Sequence, residues 1–389
     1  MALMGFWRRS RPGRIRVLPT KGRALILSDL HGHLGDWRAF LAASRAFERL
    51  LAGEDLWLLI TGDAPDVARH RAVDPSVPED GDVRIDEELI AVKKELGPRA
   101  ERIVYLEGNH DFHLSRIWRE VNRWHVFERG KARTPEEEVP ENVPEEIAAY
   151  FEHYKRAYGP AIFANNIGPY DMIHRVVPEH LRFVEAGPVV AHLPGAGVVV
   201  THAGPPRMGA WRPDALRKAV DGCDREWMRT AAPEAYYRSA YHQLLNNRFR
   251  NGDYGLEDVQ RFMGVWDGAG VLVTGHTPHP YLVDFEKRAP LEGCAFKDGL
   301  GLVGPHQVVL CSSFGAFTPG LKRYLEVDLA KRHRTVDDLF TGPDAAVRPV
   351  HPEAAKTPGA GAGELPGLEV AFGEAASEAA TPEDEVTGE

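Results

Sequence analysis

Cysteine is scarce: three residues in 389, Cys223, Cys294 and Cys311, far apart and without a CxxC pair. That excludes a disulfide framework and fits a reducing, cytoplasmic setting. There is also no run of about 18 apolar residues, so no membrane-spanning helix is expected. Basic charge is not in excess either. The 47 Lys and Arg against 57 Asp and Glu leave a net charge of -10, which removes the global positive field that holds nucleic acid, and no nucleic-acid partner is expected. An acidic chain that handles phosphate must instead draw positive charge locally, from metal ions or a few arginines. The opening MALMGFWRRSRPGRIR has an apolar piece too short for a signal-peptide core, and its charges follow it. Residues 1–21 are expected to be a disordered basic leader. GAGAG near the end follows no apolar run and opens no helix, so it is not a dinucleotide fingerprint.

What the sequence does have is a series of short apolar runs bounded by turn residues: ALILS at 24–28, LWLLI at 56–60, RIVYL at 102–106, GVVVT at 197–201, VLVTG at 271–275 and QVVLC at 307–311. Runs of this length, β-branched or leucine-rich, are the pattern of strands buried on both faces. Between the early ones lie helical patterns, DWRAFLAASRAFERLLAG over 36–53 and DEELIAVKKELG over 86–97, each closed by glycine. Strand and helix in alternation predict an α/β layered domain over 22–340. Residues 114–157 differ. Their acidic block, TPEEEVPENVPEE, sits between helical patterns, and they read as a helical, charged insertion. From 341 to 389 Pro, Ala, Gly and Glu dominate, too little apolar material to offset chain entropy, so a disordered acidic tail is expected.

The ends of the apolar runs carry the chemistry. After ALILS come Asp29 and His31; after LWLLIT come Asp63 and Asp66; after RIVYL come Asn109, His110 and Asp111; after GVVVT comes His202; after VLVTG comes His276. Any one of these reads as an ordinary turn, since Gly and Asn favour tight loops. Five in succession at the C-terminal ends of buried strands place oxygen and imidazole donors along the edge where open α/β sheets bind ligands. Carboxylate with imidazole suits Zn, Mn and Fe. One aspartate has two oxygens and can bridge two ions about 3.5–4 Å apart.

In this order, DxH, GDxxD, GNHD, HAG and GHTP resemble the calcineurin-like metallophosphoesterase superfamily, and most closely its phosphoprotein phosphatase branch with the bacterial relatives. The resemblance covers residues 22–330. It implies a four-layer α/β/β/α sandwich with two divalent metal ions, Mn, Fe or Zn. By resemblance Asp29 and His31 hold one metal, Asp63 bridges, and Asn109, His202 and His276 hold the second. His110 is then the general acid and Asp66 orients it. HQLLNNRFR at 242–250 is similar to the family segment that supplies a phosphate-binding arginine, which points to Arg248.

This sequence also departs from the family pattern. The second motif usually ends DRG, whereas here Val67 stands in the arginine's place; Arg69, or Arg116 from the insertion, is the candidate replacement. The aromatic hydroxyl common in the closing loop is missing from SSFGAF, where Phe314 stands. Pro278 occupies the slot that a second histidine fills in GHxH members. His33, His113 and His279 flank the motifs and are expected to be neighbours of the ligands, not ligands. Asp111 is expected to anchor its loop by accepting backbone hydrogen bonds. The implied activity is hydrolysis of phosphate monoesters on a phosphorylated protein or small molecule, with serine/threonine phosphatase leading. A dinucleoside polyphosphate hydrolase or other phosphodiesterase is the alternative, in which Trp118, Trp124 or Phe112 could stack on a base.

Overall fold

The structure, a computed structural model, describes residues 13–73, 75–116, 118, 175–223, 233–310, 319–342 and 345–355. All six apolar runs form strands. A five-stranded sheet has the spatial order β14 (Val347–Pro349), β13 (Arg323–Asp328), β2 (Arg23–Leu27), β3 (Leu56–Ile60), β4 (Ile103–Tyr105). A seven-stranded sheet runs β1 (Ile15–Val17), β5 (Val190–Leu193), β6 (Val198–Thr201), β7 (Val271–Thr274), β12 (Gln307–Val309), β11 (Leu300–Val303), β10 (Cys294–Lys297). A short ribbon pairs β8 (Val283–Asp284) with β9 (Ala289–Pro290).

Alternation along each strand assigns the layers, because successive side chains leave opposite faces. Ala24 and Ile26 of β2 and Leu59 of β3 pack with Val198, Val200, Val271 and Val273 of the other sheet, so these residues form the core between the two sheets. Leu25, Leu27, Leu58 and Ile60 point the other way. They meet Trp37 and Phe40 of α1 (Leu34–Ser44), Leu50 of α2 (Ala46–Leu51) and Leu89 of α3 (Gly81–Leu96). On the far side, Val190, Val199 and Leu272 meet Leu244 of the helix Ala240–Asn246 and Phe262 of the helix Leu256–Met263. Helix, sheet, sheet, helix is the four-layer sandwich. Each buried leucine or valine contributes about 1.5–3 kcal/mol. The parallel pairs β2–β3, β3–β4 and β6–β7 bring their C-terminal ends to common edges. Among the described residues no helix is long and apolar enough to cross a membrane.

Three boundaries differ from the sequence reading. The helix expected over 36–53 is two helices, because Arg45 adopts a left-handed φ of 53°. Ser44 steadies the break, donating to the Phe40 carbonyl and accepting from Ala46 N. Within the stretch read as a disordered leader, Ile15–Val17 pairs in parallel with Val190–His192 as an edge strand. Within the stretch read as a disordered tail, Val347–Pro349 pairs with β13 and is followed by a helical turn at Pro352–Ala355. Short edge strands bury one side only, so they lack the continuous apolar run that marks a central strand. The insertion over 114–157 lies outside the described residues except for 114–116 and the buried Trp118, as do residues 356–389.

The C-terminal strands are tied to α1 by buried charge. Lys322 Nζ lies 2.5 Å from Asp36 Oδ2, and His351 Nε2 lies 2.8 Å from Asp36 Oδ1. Burial pushes the Asp36 carboxyl up, but His351 and Lys322 outweigh it and hold it below the usual aspartate range. Asp36→Asn should therefore cost about 3–5 kcal/mol, since it strands a buried ammonium, and lower Tm by on the order of 10 °C. Asp36→Asn with Lys322→Met should recover much of that loss. A carboxyl with a depressed folded-state pKa stabilises fully above the ordinary aspartate range and loses its effect as pH falls through the folded value. Thermal melts should accordingly show the gap between wild type and Asp36→Asn closing in acid.

Candidate metal centre

The loops after β2, β3, β4, β6 and β7 converge on one edge, and their backbone is unusual. His31, Asp63, Asp66 and His276 all have positive φ, at 44°, 53°, 94° and 61°. Left-handed conformations cost a non-glycine residue about 1–2 kcal/mol each. Strain of this kind is kept where surrounding structure over-determines it. Glycine makes the approach possible: a Cβ on Gly108 would overlap Asp63 Oδ1, and one on Gly275 would overlap Asp29 Oδ1.

Asp63 is at the centre and is 1% exposed. Its Oδ2 lies 3.3 Å from His202 Nε2 and 3.9 Å from His110 Nε2, and its Oδ1 accepts from His110 N at 2.9 Å. His202 Nε2 also lies 3.0 Å from Asn109 Oδ1. Asp29 Oδ2 accepts from His276 N at 2.6 Å and lies 3.9 Å from His31 Nε2. Its Oδ1 accepts from the hydroxyls of Thr61 and Ser28. Two sets of possible ligand atoms each fall within 4.8 Å: His31, Asp63 and His110, and Asp63, His202 and His276. Asp63 belongs to both.

The imidazole tautomers follow from their partners. Carbonyl oxygens only accept, so His202 Nδ1–H donates to Thr61 O at 2.7 Å and His31 Nδ1–H to Pro65 O at 3.0 Å. Each ring then turns its Nε2 towards the carboxylates, the orientation that carbonyl partners impose on metal-binding histidines. His276 Nε2 lies 3.1 Å from Asn246 O and 3.2 Å from Arg248 Nε. If it donates to the carbonyl, Nδ1 is the free ligand atom and the arginine is a close neighbour, not a donor to this ring. Burial, and then the Arg248 guanidinium, holds the His276 pKa well down. Burial opposes charge on both Asp63 and His202, yet the pair prevails. His202 and His110 keep Asp63 well below the carboxylate range, and Asp63 and Asp29 raise His202 to about 9. A shared carboxylate, ring nitrogens aimed inward and an amide oxygen beside them fit a pair of divalent cations of the kind that take mixed oxygen and nitrogen ligands.

His110 sits between two aspartates, with Nδ1 3.5 Å from Asp66 Oδ2 and Nε2 facing Asp63. By distance alone it groups with His31 and Asp63 in place of Asp29. Asp111 anchors the loop as expected, accepting from Asp63 N and Gly108 N. The Arg69 side chain lies outside the described residues, as does the SSFGAF loop with Phe314. Val67 is fully buried beside Gly32, so position 67 here fills the junction with α3. His33 caps α1 by accepting from Asp36 N. His113 is partly buried, and desolvation lowers its pKa to about 3; His279 is fully buried near Val309 O.

One supporting residue escaped the sequence reading. Tyr105 ends β4, accepts from Ala64 N and donates to Asp111 Oδ1, which ties the second and third motifs together. A hydroxyl at the end of an otherwise aliphatic strand was the available signal.

Two sheets with paired His/Asp groups at their common edge define a metal-dependent phosphoesterase. The chain belongs to the calcineurin-like phosphoesterase family, whose profile matches residues 22–280. No curated protein matches it. Among solved structures it is similar to a cold-active protein-tyrosine phosphatase of a psychrophilic Shewanella species, at 12% identity over 82% of this chain and 78% of that one, TM-score 0.42. It is also similar to a protein serine/threonine phosphatase of Saccharomyces cerevisiae, at 14% identity over 81% and 76%, TM-score 0.41. A protein provisionally described as a diadenosine tetraphosphatase is 14% identical over 81% and 92%, TM-score 0.39.

Proposed function

We infer that this chain removes phosphate from monoesters with a dinuclear metal centre, in the manner of the phosphoprotein phosphatase branch and in a cytoplasmic setting. The observation that carries the reading is Asp63, shared by two histidine groups, with His110 held between it and Asp66. Asp29 and His31 would hold one cation, Asn109, His202 and His276 the other, and Asp63 both; Mn, Fe and Zn suit the donors. When bound, such a pair supplies Lewis-acid charge to the phosphoryl oxygens and acidifies the attacking water.

The chain's own residues do the rest. Arg248, beside His276, presents a planar fork to two phosphoryl oxygens and stabilises charge there in the transition state. Asp66 favours the protonated imidazole of His110. His110 then gives its Nε2 proton to the departing oxygen. Phosphorylated serine or threonine in a protein is the leading substrate class. A dinucleoside polyphosphate hydrolase is the second reading, favoured by a further arginine, Arg250, whose guanidinium lies over the same Tyr281 ring as that of Arg248.

A turnover screen of Mn-loaded protein tests this, with phosphoserine and phosphotyrosine peptides, mononucleotides and diadenosine tetraphosphate side by side. Phosphoserine peptide is expected to lead. No turnover of any monoester would reject the reading.

A further inference from the structure

One short helix, Ala240–Asn246, touches three of the five loops that carry the site. Leu244 O accepts from Ala203 N at 2.9 Å, next to His202, and Asn246 O lies 3.1 Å from His276 Nε2. These two ties run through backbone carbonyls and do not depend on a particular side chain. The third does. Tyr241 donates from its hydroxyl to Glu107 Oε2 at 2.6 Å, and its ring meets the Phe112 ring edge-on, 5.7 Å between centroids. Glu107 and Phe112 bracket residues 108–111, the loop with Asn109 and His110. Glu107, Phe112 and Tyr241 are each 1% exposed, so water does not compete for these contacts. Arg14 steadies the carboxylate from another element: its Nη1 lies 3.7 Å from Glu107 Oε2 and donates to Gly187 O at 3.1 Å.

The two functional residues of that loop depend on it unequally. Asn109 Oδ1 has a further hold at His202 Nε2, 3.0 Å away. The His110 ring meets Asp66 at 3.5 Å and Asp63 Oδ2 at 3.9 Å. At those distances a small shift of the backbone decides whether a hydrogen bond forms. His110 N is fixed on Asp63 Oδ1 at 2.9 Å, and the two ends of the loop rest on Tyr241.

We propose that Tyr241 is a positioning residue of the active site: through Glu107 and Phe112 it sets the loop that aims the His110 ring at the leaving group. This rests on the phosphoesterase reading and deepens it. The same helix leads into Arg248, so Tyr241 also keeps the phosphate-binding segment in register with the proton donor.

The test compares full-length, Mn-loaded wild type with Tyr241→Phe, which removes the hydroxyl and keeps the ring. Phe112→Leu is a second, independent cut, and Glu107→Gln is the conservative control, since its amide oxygen still accepts the hydroxyl. kcat/KM is measured on phosphoserine peptide and p-nitrophenyl phosphate, with bound metal assayed. Tyr241→Phe should lose about tenfold on the peptide and about threefold or less on p-nitrophenyl phosphate, part of the roughly 10²-fold that 1 Å of misplacement costs. Phe112→Leu should show the same bias, and Glu107→Gln should stay near wild type. In a His110→Asn background, Tyr241→Phe should add little to the bias, as expected of a residue acting through that ring. Equal losses on the two substrates, an unchanged ratio, or a full additional bias without His110 would overturn the proposal. If wild type cleaves neither substrate, the phosphoesterase reading has failed instead, and hydrogen exchange reads the brace. Tyr241→Phe should then speed exchange at the hydrogen-bonded amides of Gly108, His110 and Phe112 and leave β2 and β3 unchanged. Unaltered exchange in the loop, or faster exchange throughout the chain, would overturn the positioning role.

Discussion

Asp63→Asn is expected to lose at least one metal ion and nearly all activity while keeping its fold. The substitution preserves size and lets one oxygen go on accepting from His110 N, as Asp63 Oδ1 does. What changes is the other side of the group. Asp63 Oδ2 faces His202 Nε2 at 3.3 Å and His110 Nε2 at 3.9 Å, and an amide nitrogen there turns a donor where an acceptor stood. The negative charge common to both histidine groups also disappears, and two cations cannot be held side by side without it. Several kcal/mol of transition-state stabilisation go with the metals, so kcat/KM should fall on the order of 10³-fold. Elemental analysis, kinetics and a thermal melt on one preparation check this. An active Asp63→Asn protein with two tightly bound metals would sink the dinuclear assignment.

The second large effect concerns His110 and separates mechanism from mere importance. A proton donor matters most when the leaving oxygen is a strong base, such as a serine alkoxide, and least for p-nitrophenolate, which departs unaided. General acid catalysis contributes about 10²–10⁴-fold, and much of that range should separate the two substrates in His110→Asn. Metal content should hold if Asn109 and not His110 is the ligand. This matters because His110 also lies within reach of His31 and Asp63; metal loss in His110→Asn would move it into the ligand set. Asp66→Asn should show the same pattern more weakly, since it acts through the ring 3.5 Å away. The double variant should be little worse than His110→Asn, as expected of residues acting as one unit. Provided chemistry limits both reactions in wild type, equal losses on phosphoserine peptide and p-nitrophenyl phosphate would reject the general-acid role.

Much of this was legible in the sequence because central strands of a double-faced sheet announce themselves. LWLLI, buried along its whole length, has no competing interpretation as an amphipathic element. The residues just past such runs inherit fixed positions, so Asp29, Asp63, Asn109, His202 and His276 could be read as one set. The edge strands were not legible, since Ile15–Val17 and Val347–Pro349 are three residues each and only partly buried. Nor does a single sequence link Lys322 to Asp36, 286 positions apart. The helix break at Arg45 was hidden for another reason. Its pattern is helical on both sides, and only the φ of one arginine interrupts it.

The hydrogen bond from His276 N to Asp29 Oδ2 spans 247 residues of sequence, which has a consequence for how the protein is made. β2, β3 and β4 can associate as soon as the first hundred or so residues leave the ribosome, but the carboxylate at the end of β2 has no backbone partner from β7 until much later. At about 5–20 residues per second the interval is roughly 12–50 s. During that time the first two motifs are present without the loop that fixes their geometry. Competence therefore comes late in synthesis, and a chain truncated before residue 276 should contain every proposed metal ligand but His276 and none of its function.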